Sequence, residues 1–309
     1  NNVNNTSFPK HCLLLYLTDP FQPFNSIFGL NSHQHTRQIL VLSRILKNLS
    51  YNVDVIDYHN KHVTIGKKYD LVIDLHPGGN DAYMNSMAPD CIRIAYITGS
   101  NPAFSNKAEE KRLEALFLRK GIKLSPVRKV ELFEKETFES CNAVMFIGNK
   151  YNFRTFGEFN LEKVFFLPNT GYDFLNNKDF SKKDRRSFLF LGGNGQVHKG
   201  LDLLLEVFSR HPELKLYVCS SFKDEPEFCR LYDKELLHSP NVVPAGFLNI
   251  AGRKFRDIAR KCCYMILPSC SEGMSGSVLT AMSAGLIPVV TRECGFEDDE
   301  VYHLADVSI

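Results

Sequence analysis

No apolar run in this chain is long enough to cross a bilayer. The longest, such as residues 12–17 and 264–268, have the length of strands, well short of the roughly 18 residues a spanning helix needs. The first ten residues are polar and hold no signal-peptide core, so the protein is expected to stay in the cytoplasm. Charge of one sign is also scarce. Lys and Arg number 37 against 35 Asp and Glu, a formal net charge of +2. A nucleic-acid binder held by bulk electrostatics would carry a marked basic excess, so no nucleic-acid partner is expected. A disulfide framework is missing as well. The nine cysteines are odd in number and irregularly spaced. Cys12, Cys91, Cys141 and Cys219 lie in or beside apolar runs, and the adjacent Cys262-Cys263 fits neither CxxC nor a metal-ligand spacing. They read as reduced, buried thiols behaving as small hydrophobes.

What is present is an ordinary globular composition, 44% hydrophobic and 23% charged over 309 residues. At about 100–200 residues per domain, that is length for two domains. Short apolar runs alternate with amphipathic stretches, the βαβ pattern of a parallel sheet covered on both faces. In the first half strands are predicted at 11–17, 52–57, 71–75, 92–97, 143–147 and 164–167. Helices are predicted at 35–49, 107–120, 129–141 and 151–159. Periodicity then disappears across 168–186, which is rich in Asn, Asp, Lys and Gly. The alternation restarts with strands at 187–191, 214–219, 242–246, 264–267 and 287–291, and helices at 200–210, 226–237, 250–261 and 277–284. The division read from this is a first domain over 1–170, a linker over 171–186 and a second domain over 187–309. Only 18 residues follow Thr291. A Rossmann-like domain normally finishes with further helices, so the second is read as truncated at its end or built without them.

Two motifs carry chemistry. The first is FLFLGGNGQVHKG, residues 188–200, where a strand runs through a Gly-rich loop into a helix. Gly192, Gly193 and Gly195 allow close backbone approach to a ligand. The helix N-terminus beyond Gly200 offers unpaired amides and partial positive charge, which suit a phosphate. His198 and Lys199 stand at that spot, and Lys199 adds a full charge. The loop is neither a Walker A nor a GxGxxG fingerprint; its plainer reading is a strand–helix turn with a solvated lysine. The second motif is MILPSCSEGMSGSVLTAMSAG, residues 265–285. A strand ends at Pro268, and Glu272, Gly273, Met274, Ser275, Gly276 and Ser277 lead into a helix. In an open α/β sheet, ligands bind beyond the carboxyl ends of the strands, and both motifs lie at such ends.

A KG opening a helix, about 70 residues before PS-x-x-EG, then a helix ending in AG-x-x-PVV, resembles the retaining glycosyltransferases of group 1, or family 4. Its VHKG and SEG-x-SGSV variants resemble a bacterial subgroup of them. The resemblance covers about 187–295 by motif and the first half by topology. It implies the GT-B architecture, two Rossmann-like domains with parallel sheets facing a central cleft. It further implies a hexosyltransferase-like transfer, with retention, from a nucleotide-diphosphate sugar to a saccharide, lipid-linked or protein acceptor, in polysaccharide or glycoconjugate biosynthesis. Lys199 would contact the donor diphosphate and Glu272 the donor sugar, with the amides of Gly273, Met274 and Ser275 on the diphosphate. Two positions depart from the pattern. A second glutamate, which holds the ribose in the family, is replaced eight residues on by Thr280. A loop arginine is also missing, its stretch being Gln196, Val197 and His198. No cofactor is implied, and no DxD triplet of the metal-dependent transferases occurs. The alternatives are a sugar-nucleotide-binding module without turnover, and a GT-B nucleotide-sugar epimerase.

The first half should hold the acceptor. The family places a histidine after a first-domain strand near the reacting sugar carbon. His76, after the 71–75 strand, matches by type. Thr98, Gly99, Ser100 and Asn101, after the next strand, match by strand order. Ser100 therefore stands beside His76, Lys199 and Glu272 as a catalytic candidate. Gly29 is the glycine available for a loop closing over the diphosphate. His33 and His35 have HxH spacing without a Cys or Asp partner cluster, so no metal site is assigned. Residues 119–135 concentrate Arg119, Lys120, Lys123, Arg128 and Lys129. They read first as a solvated face, and second as a contact for an anionic lipid surface, at the inner face of the membrane, or for a phosphorylated acceptor.

Overall fold

The computed structural model describes residues 1–22, 34–78, 81–173 and 183–305. Gly29 and His33 lie outside them. The chain forms two compact units. One comprises Asn1–Thr98, Glu131–Ile147 and Phe156–Pro168, the other Gly99–Val130, Gly148–Thr155 and Asn169–Ile309. Residues 99–130 and 148–155, on the first-domain side of the sequence division, pack in the second unit.

The first unit is built on one parallel sheet. Its strands are β1 (Lys10–Tyr16), β2 (Tyr51–Asp57), β3 (Tyr69–Asp74), β4 (Met87–Ile97), β5 (Ala143–Ile147) and β6 (Val164–Leu167), in the order β2-β1-β3-β4-β5-β6. Helix α1 (Gln34–Asn48) connects β1 to β2. β1, inside the sheet, is apolar over Cys12–Tyr16 because both of its faces are covered, and these residues are all at most 2% exposed.

The second unit contains α2 (Pro102–Lys120), which follows β4 in sequence. It starts five residues before the predicted 107, at a position with a legible signal. Pro102 sits at the first helical position, and the Asn101 side chain caps by accepting the Ala103 amide at 2.8 Å. Gly121, at φ 69°, ends it. The helix predicted over 129–141 is realised only as α3 (Lys135–Glu139), in the first unit, with the Glu134 carboxylate capping the amides of Glu136 and Thr137. Short α4 (Lys150–Phe153) follows β5.

The sheet of the second unit is again parallel, in the order β12-β11-β10-β7-β8-β9. Its strands are β7 (Asp184–Leu191), β8 (Lys215–Cys219), β9 (Val242–Pro244), β10 (Cys262–Leu267), β11 (Ile287–Val290) and β12 (Tyr302–His303). β7 begins inside the stretch read as linker. Helices α5 (Leu201–Phe208), α6 (Pro226–Leu231), α7 (Asp233–Leu237), α8 (Arg253–Lys261) and α9 (Gly276–Ser283) connect them. The strand order reverses between β7 and β10, which pair directly, Tyr264 opposite Phe188 and Met265 opposite Leu189. Such a switch point opens a crevice at the strand ends. Both motif loops, 192–200 after β7 and 268–275 after β10, leave from it. All nine cysteines are free thiols.

Candidate functional site

At the switch point the two motifs meet in one ion pair. Lys199 Nζ lies 2.5 Å from Glu272 Oε1, and Ser269 Oγ donates to the same oxygen at 2.9 Å. Burial pushes the Glu272 carboxyl up, but Lys199, then Arg128 and His198, outweigh it and hold it down at about 2. Glu272 is thus a fixed carboxylate at neutral pH. Lys199 is held over Gly192, whose absent Cβ would come within 2.9 Å of Lys199 Cδ; a side chain there would displace the ammonium.

The Glu272 main chain is pinned from the far side of the loop. Its carbonyl accepts from Ser100 N at 3.1 Å, Ser100 Oγ at 2.6 Å and Asn152 Nδ2 at 3.1 Å. Asn152 also donates to the Glu293 carbonyl at 2.9 Å. Ser100, an acceptor-side candidate from the sequence, therefore spends its hydroxyl on the loop that carries Glu272. Asn101 is 3% exposed and caps α2. Gly99 has open space where a side chain would be.

His198 is 1% exposed and its Nε2 bonds the Ser271 carbonyl at 2.7 Å. Burial, helped by Arg128, lowers its pKa to about 4, so the ring is neutral and Nε2 carries the hydrogen. Nδ1 is buried with no partner among the described residues.

The two helix N-termini differ. At the first, the Glu225 carboxylate accepts from Gly195 N at 2.6 Å, Gln196 N at 3.1 Å and Gln196 Nε2 at 3.1 Å. Loop amides expected to face a phosphate already hold an internal carboxylate. The start of α5 holds a second one, Asp202, which is 0% exposed and pairs with Arg119 at 2.6 Å. Burial raises Asp202 to about 6 against the pull of Arg112 and Arg119. At the second, the α9 ladder begins with Leu279 N to Ser275 O at 3.3 Å. Gly276, Ser277 and Val278 lie ahead of it, in the turn whose amides have no intrahelical acceptor. Asn169 Nδ2 holds the Met274 carbonyl at 2.5 Å. Thr280 is 2% exposed, and its hydroxyl accepts the Tyr172 amide at 3.1 Å.

The basic stretch 119–135 divides by partner. Arg119 pairs with Asp202 and Glu206, and Lys120 with Glu235 at 3.5 Å; both tie α2 to the second sheet's helices. Lys123 and Lys129 are exposed. Arg128 is half-buried against Gly195, a placement with no signal in its local sequence.

In the first unit His76 is 8% exposed, with its ring 4.8 Å from Phe133. Its amide donates to Asp74 Oδ1 at 2.8 Å. Burial lowers its pKa, and Nε2 has no partner among the described residues. Thr98 is half-buried. Among the described residues no group of His, Cys, Asp and Glu could hold a metal ion, and no helix is long and apolar enough to cross a membrane.

Residues 185–305 match the family model described as glycosyl transferases group 1. No curated protein matches the chain in sequence at a significant level. Among solved structures the chain is similar to a glycosyltransferase from Rickettsia africae ESF-5, with TM-score 0.57 and 10% identity, over 97% of this chain and 86% of that one. It is also similar to Anabaena HepE in complex with UDP and glucose, with TM-score 0.53 and 11% identity, over 97% and 87%. TarM of S. aureus matches with TM-score 0.51 and 16% identity, over 77% of this chain and 45% of that one. The chain thus spans less than half the length of TarM. At such identities the likeness is one of fold: two parallel six-stranded α/β sheets, as in GT-B glycosyltransferases, the similarity to the group 1 family model being confined to 185–305.

Proposed function

We propose that the protein transfers a sugar, with retention at the anomeric carbon, from a nucleotide-diphosphate donor to a saccharide, lipid-linked or protein acceptor. The observation that carries this is the Lys199–Glu272 pair, set at the β7/β10 switch point beside the open first turn of α9, inside the stretch that matches the group 1 family model. HepE, of the same fold, is a complex with UDP and glucose, which supports a sugar nucleotide as the ligand.

The hard step is departure of the diphosphate. In this reading Lys199 and the amides of Gly273, Met274, Gly276 and Ser277 stabilise the negative charge that develops on it, by preorganised electrostatics rather than proton transfer; the Ser275 amide, also expected there, donates instead to the Cys294 carbonyl at 3.0 Å. Glu272, ionised far below neutral pH, accepts from two neighbouring sugar hydroxyls and is held in place by Ser100 and Asn152. Gly193 leaves room for the ligand and Gly192 for the Lys199 side chain, while Gly195 and Gly200 shape the loop. His76, with its bare Nε2, is the acceptor-side candidate in the first unit.

The test is donor turnover across a panel of UDP-, GDP- and ADP-sugars with wild type and Lys199→Ala. Turnover should fall tenfold or more in the variant, and unchanged turnover refutes the role. Conversion of the donor without any acceptor would instead indicate an epimerase. Binding without turnover would indicate a sugar-nucleotide-binding module.

A further inference from the structure

Lys199 is not an uncommitted cation. Its ammonium is neutralised by Glu272 at 2.5 Å, and His198 beside it is neutral. The nearby amides of Gly195 and Gln196 are filled by Glu225. A nucleoside diphosphate brings two to three negative charges to this spot. Beside a lysine already paired, it calls for a further cation that no carboxylate holds.

Arg128 meets that requirement. It lies seven residues beyond the Gly121 cap of α2, yet its side chain runs along the loop after β7. A Cβ on Gly195 would fall 2.6 Å from Arg128 Cγ and closer still to its Cδ. Any residue but glycine at 195 would expel this side chain. The backbone beneath it is anchored. Glu109, 2% exposed on α2, accepts the amides of Val127 at 3.0 Å and Arg128 at 3.1 Å. The head group has no such tie, since among the described residues no carboxylate lies within 4.0 Å of it. It is close enough to Glu272 and His198 to lower the pKa of both, so its charge is felt where the ligand would sit. His198 Nδ1, buried without a partner among the described residues, is a second unmet polar atom in the same cluster.

We propose that Arg128, brought to the Gly195 loop from the segment after α2, is the cation that receives the donor's diphosphate, beside the Lys199–Glu272 pair. The inference rests on the glycosyltransferase reading and names the residue that completes its anion site. The planar guanidinium can offer two parallel N–H donors to phosphate oxygens, which an ammonium cannot.

Titration calorimetry with UDP, GDP and ADP tests it, using wild type, Lys199→Ala, Arg128→Met and Arg128→Lys. Arg128→Met keeps the apolar stem against Gly195, so folding should be retained, as an unchanged melting temperature would verify. For whichever diphosphate wild type binds, Arg128→Met should weaken binding by about 10- to 100-fold, the scale of a lost charge-assisted bond. The salt dependence of binding should flatten, which loss of packing alone would not cause. Arg128→Lys should recover part of the affinity. If Lys199→Ala weakens binding and Arg128→Met binds as wild type does, this proposal falls and the functional reading stands. If wild type binds none of the three diphosphates, both fall.

Discussion

The loops after β7 and β10 look alike in sequence: a buried strand, a small-residue turn, an acid or base at its end, then a helix. Folded, they are opposites. The loop before α5 is saturated from within. Glu225 takes the amides of Gly195 and Gln196, and Asp202, at the helix start, is bound to Arg119 of α2. Among the described residues no carboxylate holds the first turn of α9; only the Ser275 amide ahead of it is taken, by the Cys294 carbonyl, and the one acid of that loop, Glu272, is turned to Lys199. A Gly-rich strand–helix turn therefore becomes an anion site only where the fold leaves its donors unspent. That depends on residues elsewhere in the chain.

Four measurements would break or sharpen this contrast. The largest effect is expected at Thr280, on the α9 side. In the pattern the chain resembles, a glutamate at this position holds the ribose, and Thr280→Glu would then tighten donor binding. The structure instead buries Thr280 to 2% exposure and commits its hydroxyl to Tyr172. A carboxylate there would be desolvated without a charged partner, so Thr280→Glu should lose about 3–5 kcal/mol of stability in denaturant unfolding. A stable variant that binds nucleoside diphosphate more tightly would place this side chain at the ribose after all.

Next comes the α5 side. Gly200 has φ 74°, and a Cβ would fall 2.6 Å from the Pro268 carbonyl, at the root of the other loop. Gly200→Ala should cost about 2–4 kcal/mol, from the left-handed backbone together with overpacking. Gly193, in open space, should accept alanine within about 0.5 kcal/mol. Equal costs at the two positions would mean that the loops are not locked together at Gly200.

This pattern also marks where sequence reading reached its limit. Every strand of the two sheets except β12 was legible, because each is a short run rich in apolar and β-branched residues between turn-forming stretches. Lys199 and Glu272 were each legible as a candidate at the end of a strand, but not as partners, because which strands lie side by side is set by the fold. Arg128 was not. It sits in a stretch with no periodicity, among lysines that face solvent, and only the packing of α2 against α5 carries it to Gly195. Nor could Glu225 or Asn152 be read as loop-holding residues: each acts through a bond to a loop 29 or more residues away.

A smaller effect follows from His198, whose folded pKa of about 4 lies below its ordinary 6.5. Between those values the unfolded chain binds the extra proton, so this group's contribution to stability is complete above 6.5 and is lost as pH falls towards 4. Asp202, raised to about 6 from 3.8, runs the other way, since the folded state binds more protons in its window. Comparison with His198→Gln, which keeps a donor for the Ser271 carbonyl, cancels Asp202. The stability advantage of wild type over the variant should shrink by about 1–3 kcal/mol between pH 7 and pH 4. A pH-independent difference would show that His198 is not held neutral.

The smallest effect tests the contrast most directly. Glu225 accepts three N–H bonds from Gly195 and Gln196. Glu225→Gln keeps the shape and one acceptor oxygen but removes the charge that strengthens those bonds. The expected loss is about 1 kcal/mol of stability. Donor affinity should stay within about twofold, because in this arrangement the phosphates are received at α9, Lys199 and Arg128, and the amides under Glu225 take no part. If those amides were instead the phosphate cradle, Glu225 would be a competitor for them. Weakening its hold would then raise affinity. A tenfold tighter diphosphate titration in Glu225→Gln would therefore transfer the anion site to the loop before α5 and reverse the contrast between the two helix starts.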